Sequence, residues 1–147
     1  MRLSTKGRIA VTAMMELALT QEQTPVPLAD ISATQHVSIS YLEQLFARLR
    51  NQDLVKGMRG PGGGYYLAKP ASQISVASII MAVDDRAYVA PPSQESKHAP
   101  HKSHAFRKMW GNLSYRMYEF LDGITLASIV ESERADLESL LPTYKAA

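Results

Sequence analysis

Arg59-Gly60-Pro61-Gly62-Gly63-Gly64-Tyr65-Tyr66-Leu67 combines residue types that could handle a phosphate strand. Glycine permits a tight turn with positive φ and a close backbone approach, and an arginine at the rim carries charge suited to a minor groove. β-prone residues flank the glycines, and the run follows an amphipathic helix pattern by about ten residues. It therefore reads as the tip of a hairpin behind a helix-turn-helix, which is a DNA-binding wing. A nucleotide-phosphate cradle would need a Lys followed by Ser or Thr and then a helix. Here Tyr65, Tyr66 and Leu67 follow, which is strand chemistry.

The second set of chemistry-bearing residues precedes the wing. Leu42, Leu45, Phe46 and Leu49 fall at i, i+3, i+4 and i+7, a core stripe, while Ser38, Ser40, Tyr41, Gln44 and Arg48 lie largely off it. Gln44 suits adenine, and Ser38, Ser40 and Tyr41 suit bases or phosphates. Each serine also has a purely local use as a helix cap or solvated side chain. Ser38 can cap this helix, with Val37 and Leu42 as the flanking apolar staple, while Ser40 and Glu43 at capping-box spacing offer a competing start.

These residues need a scaffold. Ile9, Ala10, Ala13, Met14, Leu17 and Ala18 share one face of a helix over residues 6 to 19. After the turn Thr24-Pro25-Val26-Pro27, Leu28 and Ile31 anchor a second helix of about two turns that closes near Gln35. Leu54 to Met58 and Tyr65 to Ala68 supply the wing strands. Ser75 caps a further helix with Val76, Ile79, Ile80 and Val83 inward, and the compact unit ends near Asp85.

From Arg86 to Ser103 the periodicity dissolves into prolines, serines and scattered charge, a loop longer than compact domains usually carry without a purpose. Beyond it Phe106, Met109, Trp110, Leu113, Met117, Phe120, Leu121 and Ile124 recur at helical spacing over about five turns. Such a stripe could fold back on its own domain. A helix of roughly 30 Å overhangs a domain this small, however, and pairing with the same helix of a second copy in a C2 homodimer accounts for it better. A short last helix uses Leu126, Ile129 and Val130, followed by Leu137, Leu140 and Leu141. Within the loop, His98, His101 and His104 could bind a metal such as zinc, but a spacing of three with Pro100 between does not place them on one helical face.

A chain of 147 residues with 46% hydrophobic content accommodates one compact domain and an extension. The net charge is only +2, from 16 basic and 14 acidic residues. Residues 1–70 hold eight Lys/Arg against five Asp/Glu, whereas residues 71–147 hold eight against nine, so the cationic half contains the wing. No apolar stretch reaches the roughly 18 residues that span a bilayer, and Met1-Arg2-Leu3-Ser4 reads as a helix start rather than a signal peptide, so a cytoplasmic location with no membrane partner is expected. The chain has no cysteine, which excludes disulfides and thiolate metal ligands. No nucleophile–base pair, metal triad or phosphate loop argues for an enzyme.

The segments MRLSTKGRIAVTAMMELAL, VPLADISATQHVSISYLEQLFARLR, LVKGMRGPGGGYYLAK and FLDGITLASIV resemble the iron-sulfur cluster regulators of the IscR type. That family also includes the nitric-oxide-sensing NsrR and the cluster-free cysteine-metabolism regulator CymR. The resemblance covers nearly the whole chain. It implies a dimeric winged helix-turn-helix transcription factor in which Ser38, Ser40, Tyr41, Glu43 and Gln44 face double-stranded DNA while Arg59 with Gly60, Gly62 and Gly63 enters the minor groove; Arg48 on the same polar helix face and Pro61 at the wing tip complete the expected DNA-binding set. Glu43 would act as a selectivity element, since an uncompensated carboxylate against DNA is repulsive. IscR-like proteins hold a [2Fe-2S] cluster with three cysteines and usually one histidine ahead of the dimer helix, and this chain lacks those thiolates. Either the regulator is natively cluster-free or its cysteines have been replaced. Ala90, Ala99 and Ala105, with eight and then five residues between them, are the candidate former ligand positions, with His104 as the fourth. No cofactor is expected in the cysteine-free chain, and a [2Fe-2S] cluster only if the cysteines are restored.

The expected fold is mainly α with a small β-hairpin: a winged helix-turn-helix domain over 1–85, a sensor-type loop over 86–105, and dimerisation and C-terminal helices over 106–147. The expected function is binding of a palindromic promoter operator, with Phe106, Met109, Trp110, Leu113, Met117, Phe120 and Leu121 at the dimer interface. The alternative is a cluster-free regulator or interaction module that docks a metabolic enzyme, as in the cysteine-metabolism branch.

Overall fold

The computed structural model describes residues 3–20, 23–85 and 104–140. Helix α1 (Thr5–Leu19) starts where the Ser4 hydroxyl accepts the Gly7 amide at 3.1 Å. Helix α2 (Leu28–Gln35) ends at His36, whose φ of 55° is the left-handed turn that stops a helix. Helix α3 (Ile39–Asn51) begins at Ser38, whose hydroxyl accepts the Tyr41 amide at 3.2 Å, so Ser38 rather than Ser40 provides the cap. Strands β1 (Val55–Met58) and β2 (Gly64–Leu67) pair antiparallel, with Val55 opposite Leu67 and Met58 opposite Gly64. After a 3-10 turn at Ala71–Gln73, helix α4 (Val76–Val83) is capped by Ser75, whose hydroxyl accepts the Ser78 amide. Helices α5 (His104–Asp122) and α6 (Leu126–Leu140) complete the order.

The core is assembled from the faces that periodicity marks. Ala10, Ala13, Met14 and Leu17 of α1, Ile31 of α2, Leu42, Leu45, Phe46 and Leu49 of α3, and Ile79 and Val83 of α4 form one buried cluster, joined by Leu54 and Val55. Burial of these apolar side chains contributes the main driving force, roughly 1.5–3 kcal/mol for each large one.

Two features depart from the sequence expectation. The hairpin acquires a third short edge, because Val26 exchanges both backbone hydrogen bonds with Tyr65, at 2.8 and 2.9 Å. Val26 stands between Pro25 and Pro27, neither of which has an N–H, so the pairing stops after one residue. A side chain on Gly64 would collide with the Val26 backbone, which explains the glycine at that strand position.

The second departure concerns the C-terminal region. The spacing of Leu126, Ile129 and Val130 predicts a short helix within a separate dimerisation unit, whereas α6 runs for 15 residues and its first residue, Leu126, is fully buried in the winged core. Backbone bonds Val76 N–H to Ile124 O and Leu126 N–H to Ile74 O fasten this junction, at 2.9 and 3.0 Å. No helix among the described residues is long and apolar enough to cross a membrane.

Candidate nucleic-acid interface

Helix α3 is positioned by its own stripe. With Leu42, Phe46 and Leu49 wholly buried, the residues opposite must face outward, and Ser40, Glu43 and Gln44 are exposed there. These three present hydrogen-bonding groups from the first two turns, where a reading helix meets base edges. Ser38 is exposed beside them, its hydroxyl oxygen engaged by the Tyr41 amide. Tyr41 turns to the flank, half-buried against the core and lining a recess with Leu3, Lys6, Asp84 and Asp85. Arg48 is directed away from the exposed face: its Nη1 donates to the Val83 carbonyl at 3.2 Å and to Asp85 Oδ1 at 2.9 Å.

The wing is held in a set relation to this helix. The Phe46 ring of α3 packs on the Tyr65 ring of β2 with centroids 4.8 Å apart and planes inclined by 52°. Tyr65 is also the residue paired with Val26, so one tyrosine joins the wing to α3 and to the α1–α2 connection. At the tip, Gly60 and Gly62 have φ of 97° and 74°, a region that side chains disfavour by about 1–2 kcal/mol, and the Gly63 amide closes the turn on the Gly60 carbonyl at 2.9 Å. Arg59 and Pro61 are exposed on this turn, and Arg59 forms no ion pair among the described residues.

Two residues absent from the sequence-level site join this surface. Ile39, the first residue of α3, is 45% exposed between Ser38 and Ser40. It stands three positions before Leu42, which reads as core in a periodicity argument, and only the packing of α3 shows it to be outside. Lys56 lies exposed on β1, on the face opposite the core-facing Val55.

The stripe on α5 divides. Leu121 is half-buried against the cluster of Val76 and Ile80, so part of its surface packs α5 on α4. Met117 is half-buried as well. Phe106, Met109, Trp110, Leu113 and Phe120 remain exposed at 48–70%, and the Phe106 and Trp110 rings stack at 6.2 Å with planes 13° apart. His104 and Ala105 occupy the exposed first turn of the same helix. Ala90, Ala99, His98 and His101 lie outside the described residues. Among the described residues no group of three or more His, Cys, Asp or Glu side chains could hold a metal ion. A [2Fe-2S] cluster of the usual kind needs thiolate donors, and with no cysteine anywhere in the chain the residues present do not fit one.

Residues 3–132 match the sequence pattern of the Rrf2 family, described as iron-dependent transcriptional regulators. The chain belongs to the Rrf2 family. Among the relatives of this Rrf2 protein, the transcriptional regulator IscR of Serratia proteamaculans is 47% identical over 133 residues, covering 90% of this chain and 81% of that protein. IscR of Klebsiella pneumoniae is likewise 47% identical over 133 residues, 90% of this chain and 82% of that protein. Of solved structures, CymR, the global cysteine regulator of B. subtilis, superposes with a TM-score of 0.75 at 33% identity, covering 90% of this chain and 98% of that one. T. potens IscR superposes at 0.72 with 35% identity, covering 90% and 88%. This Rrf2 chain is thus a winged-helix transcriptional regulator, in a family of regulators rather than enzymes.

Proposed function

We propose that the protein acts in the cytoplasm as a homodimer that reads a palindromic operator in double-stranded DNA and does so without an iron-sulfur cluster. The observation that carries this reading is the coupling of an exposed polar helix turn, Ser40, Glu43 and Gln44, to a glycine wing bearing Arg59 through the Phe46–Tyr65 contact. Gln44 would read a base edge in the major groove, Arg59 with Gly60 to Gly63 would follow the adjacent minor groove, and Glu43 would penalise operators whose phosphates or acceptors crowd it. The exposed apolar run on α5 supports pairing with a second copy, since isolated chains rarely leave so many large apolar side chains open on one helix. Two copies related by a twofold axis present two reading helices to successive major grooves, and the palindrome follows from that symmetry.

The test is recovery of genomic fragments on the purified chain at two salt concentrations, followed by sequencing. A shared inverted repeat whose retention falls steeply with salt supports the reading, because phosphate neutralisation releases counterions. Absence of any enriched sequence at low salt removes it. Substituting Ala90→Cys, Ala99→Cys and Ala105→Cys together separates the two origins of the cysteine-free state: a coloured protein after anaerobic reconstitution indicates replaced ligands, and a colourless one indicates a natively cluster-free regulator.

A further inference from the structure

Among the described residues, Arg48 is the α3 cation with an ion-pair partner, and that partner lies inside its own chain. Val83 is the last residue of α4, and its carbonyl is among those no later helical turn satisfies. The Arg48 guanidinium donates to it at 3.2 Å and to the carboxylate two residues further on, Asp85, at 2.9 Å. Both bonds use Nη1, and the two partners are 35 and 37 residues from Arg48 in sequence. Ser40, Gln44 and Arg48 follow one another at four-residue steps, each turned about 40° around the helix, so Arg48 has rotated from the exposed face toward α4. Tyr41 shares this flank, and with Lys6, Asp84 and Asp85 it lines the recess where α1, α3 and the end of α4 meet.

We infer that Arg48 is a positioning residue. With Asp85 it sets the roll of α3 against the end of α4, and so the angle at which Ser40 and Gln44 meet a base pair; it makes no phosphate contact of its own. The electrostatics favour this role. A guanidinium 2.9 Å from a carboxylate presents little net charge to a phosphate, and the Asp85 side chain, 84% exposed, would itself repel one. The Arg48 side chain is 39% exposed, which leaves it within reach of solvent but committed on its α4 side. The inference rests on the operator reading proposed above and adds to it the residue pair that orients the reading helix.

The experiment compares wild type, Arg48→Ala, Asp85→Ala and the double variant on the recovered operator and on random DNA, across a range of salt. Arg48→Ala is expected to weaken operator binding about threefold to tenfold while leaving random DNA and the slope of log K against log salt unchanged. Asp85→Ala is expected to weaken operator binding in the same direction although it removes a negative charge, and the double variant to be no worse than Arg48→Ala alone. Asp85 is too exposed for its truncation to threaten folding, so its sign is informative even if Arg48→Ala folds poorly. A slope reduced by about 0.9 in Arg48→Ala, or tighter binding by Asp85→Ala, makes Arg48 a phosphate contact and overturns the inference. Unchanged operator affinity of the folded variants reduces the pair to a fold contact and overturns it too. Wild type that binds no DNA at any salt overturns the regulator reading itself, a result distinct from both.

Discussion

Helices α3 and α5 are both amphipathic, and the chain treats their apolar faces in opposite ways. On α3 the side chains of Leu42, Leu45, Phe46 and Leu49 are at most 1% exposed, and the face left over is polar. On α5 Trp110 is 58% and Phe120 70% exposed, while Leu121 near its end packs against Val76 and Ile80 of α4. The first helix is complete within one chain and offers its polar side to a ligand. The second remains incomplete, since apolar area of this extent is stabilised by removal from water and no described segment removes it. The surface proposed to read DNA is therefore a property of the monomer fold, and the surface proposed to join copies is a property of the assembly.

Five substitutions break or sharpen that contrast. Phe46→Ala should have the largest effect, about 3–5 kcal/mol lost from stability, because it opens the core under α3 and removes the ring that seats Tyr65. Chemical denaturation measures it, and a loss under about 1 kcal/mol would show that the wing is held by its Val26 pairing alone. Trp110→Asp should come next, weakening self-association by on the order of 2–4 kcal/mol while the helical signal of the monomer persists. Dilute sedimentation reads this directly, and an unchanged mass means that α5 is not the interface.

Gln44→Ala should cost about 1–3 kcal/mol on the operator with little loss on random DNA, whereas Arg59→Ala should weaken both. Equal losses on the two DNAs for Gln44→Ala would withdraw it from base readout. Ser38→Ala should be the mildest, about 1 kcal/mol of stability from the lost cap, visible as a lowered melting temperature. If it also abolishes operator binding in the folded protein, the Ser38 hydroxyl has a second role beyond capping.

Local signals carried most of the winged domain. The cap at Ser75 was legible because a hydroxyl just before an apolar period satisfies amides within three residues, whereas Ser38 and Ser40 stayed in competition until the structure showed the Tyr41 amide on Ser38. The glycine tip was legible because φ values of 97° and 74° have almost no other residue choice. Ser40, Glu43 and Gln44 followed once the stripe of α3 was identified, since the exposed side of a helix is what its buried side leaves. Arg48 and Leu121 are positions that the stripe alone leaves open. Each sits at a helical position that could face either way, and its direction depends on which neighbour it meets.

From the sequence alone came the helical order, the hairpin, the polar face of α3 and the lack of thiolates for a cluster, all features written in residue type, periodicity and spacing of a few positions. Only the tertiary structure decided that Arg48 turns to Asp85, that Val26 extends the wing, and that Leu126 enters the core of the first domain instead of standing apart with α5. Those pairs join residues 37 to more than 100 positions away, as Leu126 does with α1. Short-range periodicity carries no record of them, because the contacts exist only after the chain has closed its loops and packed.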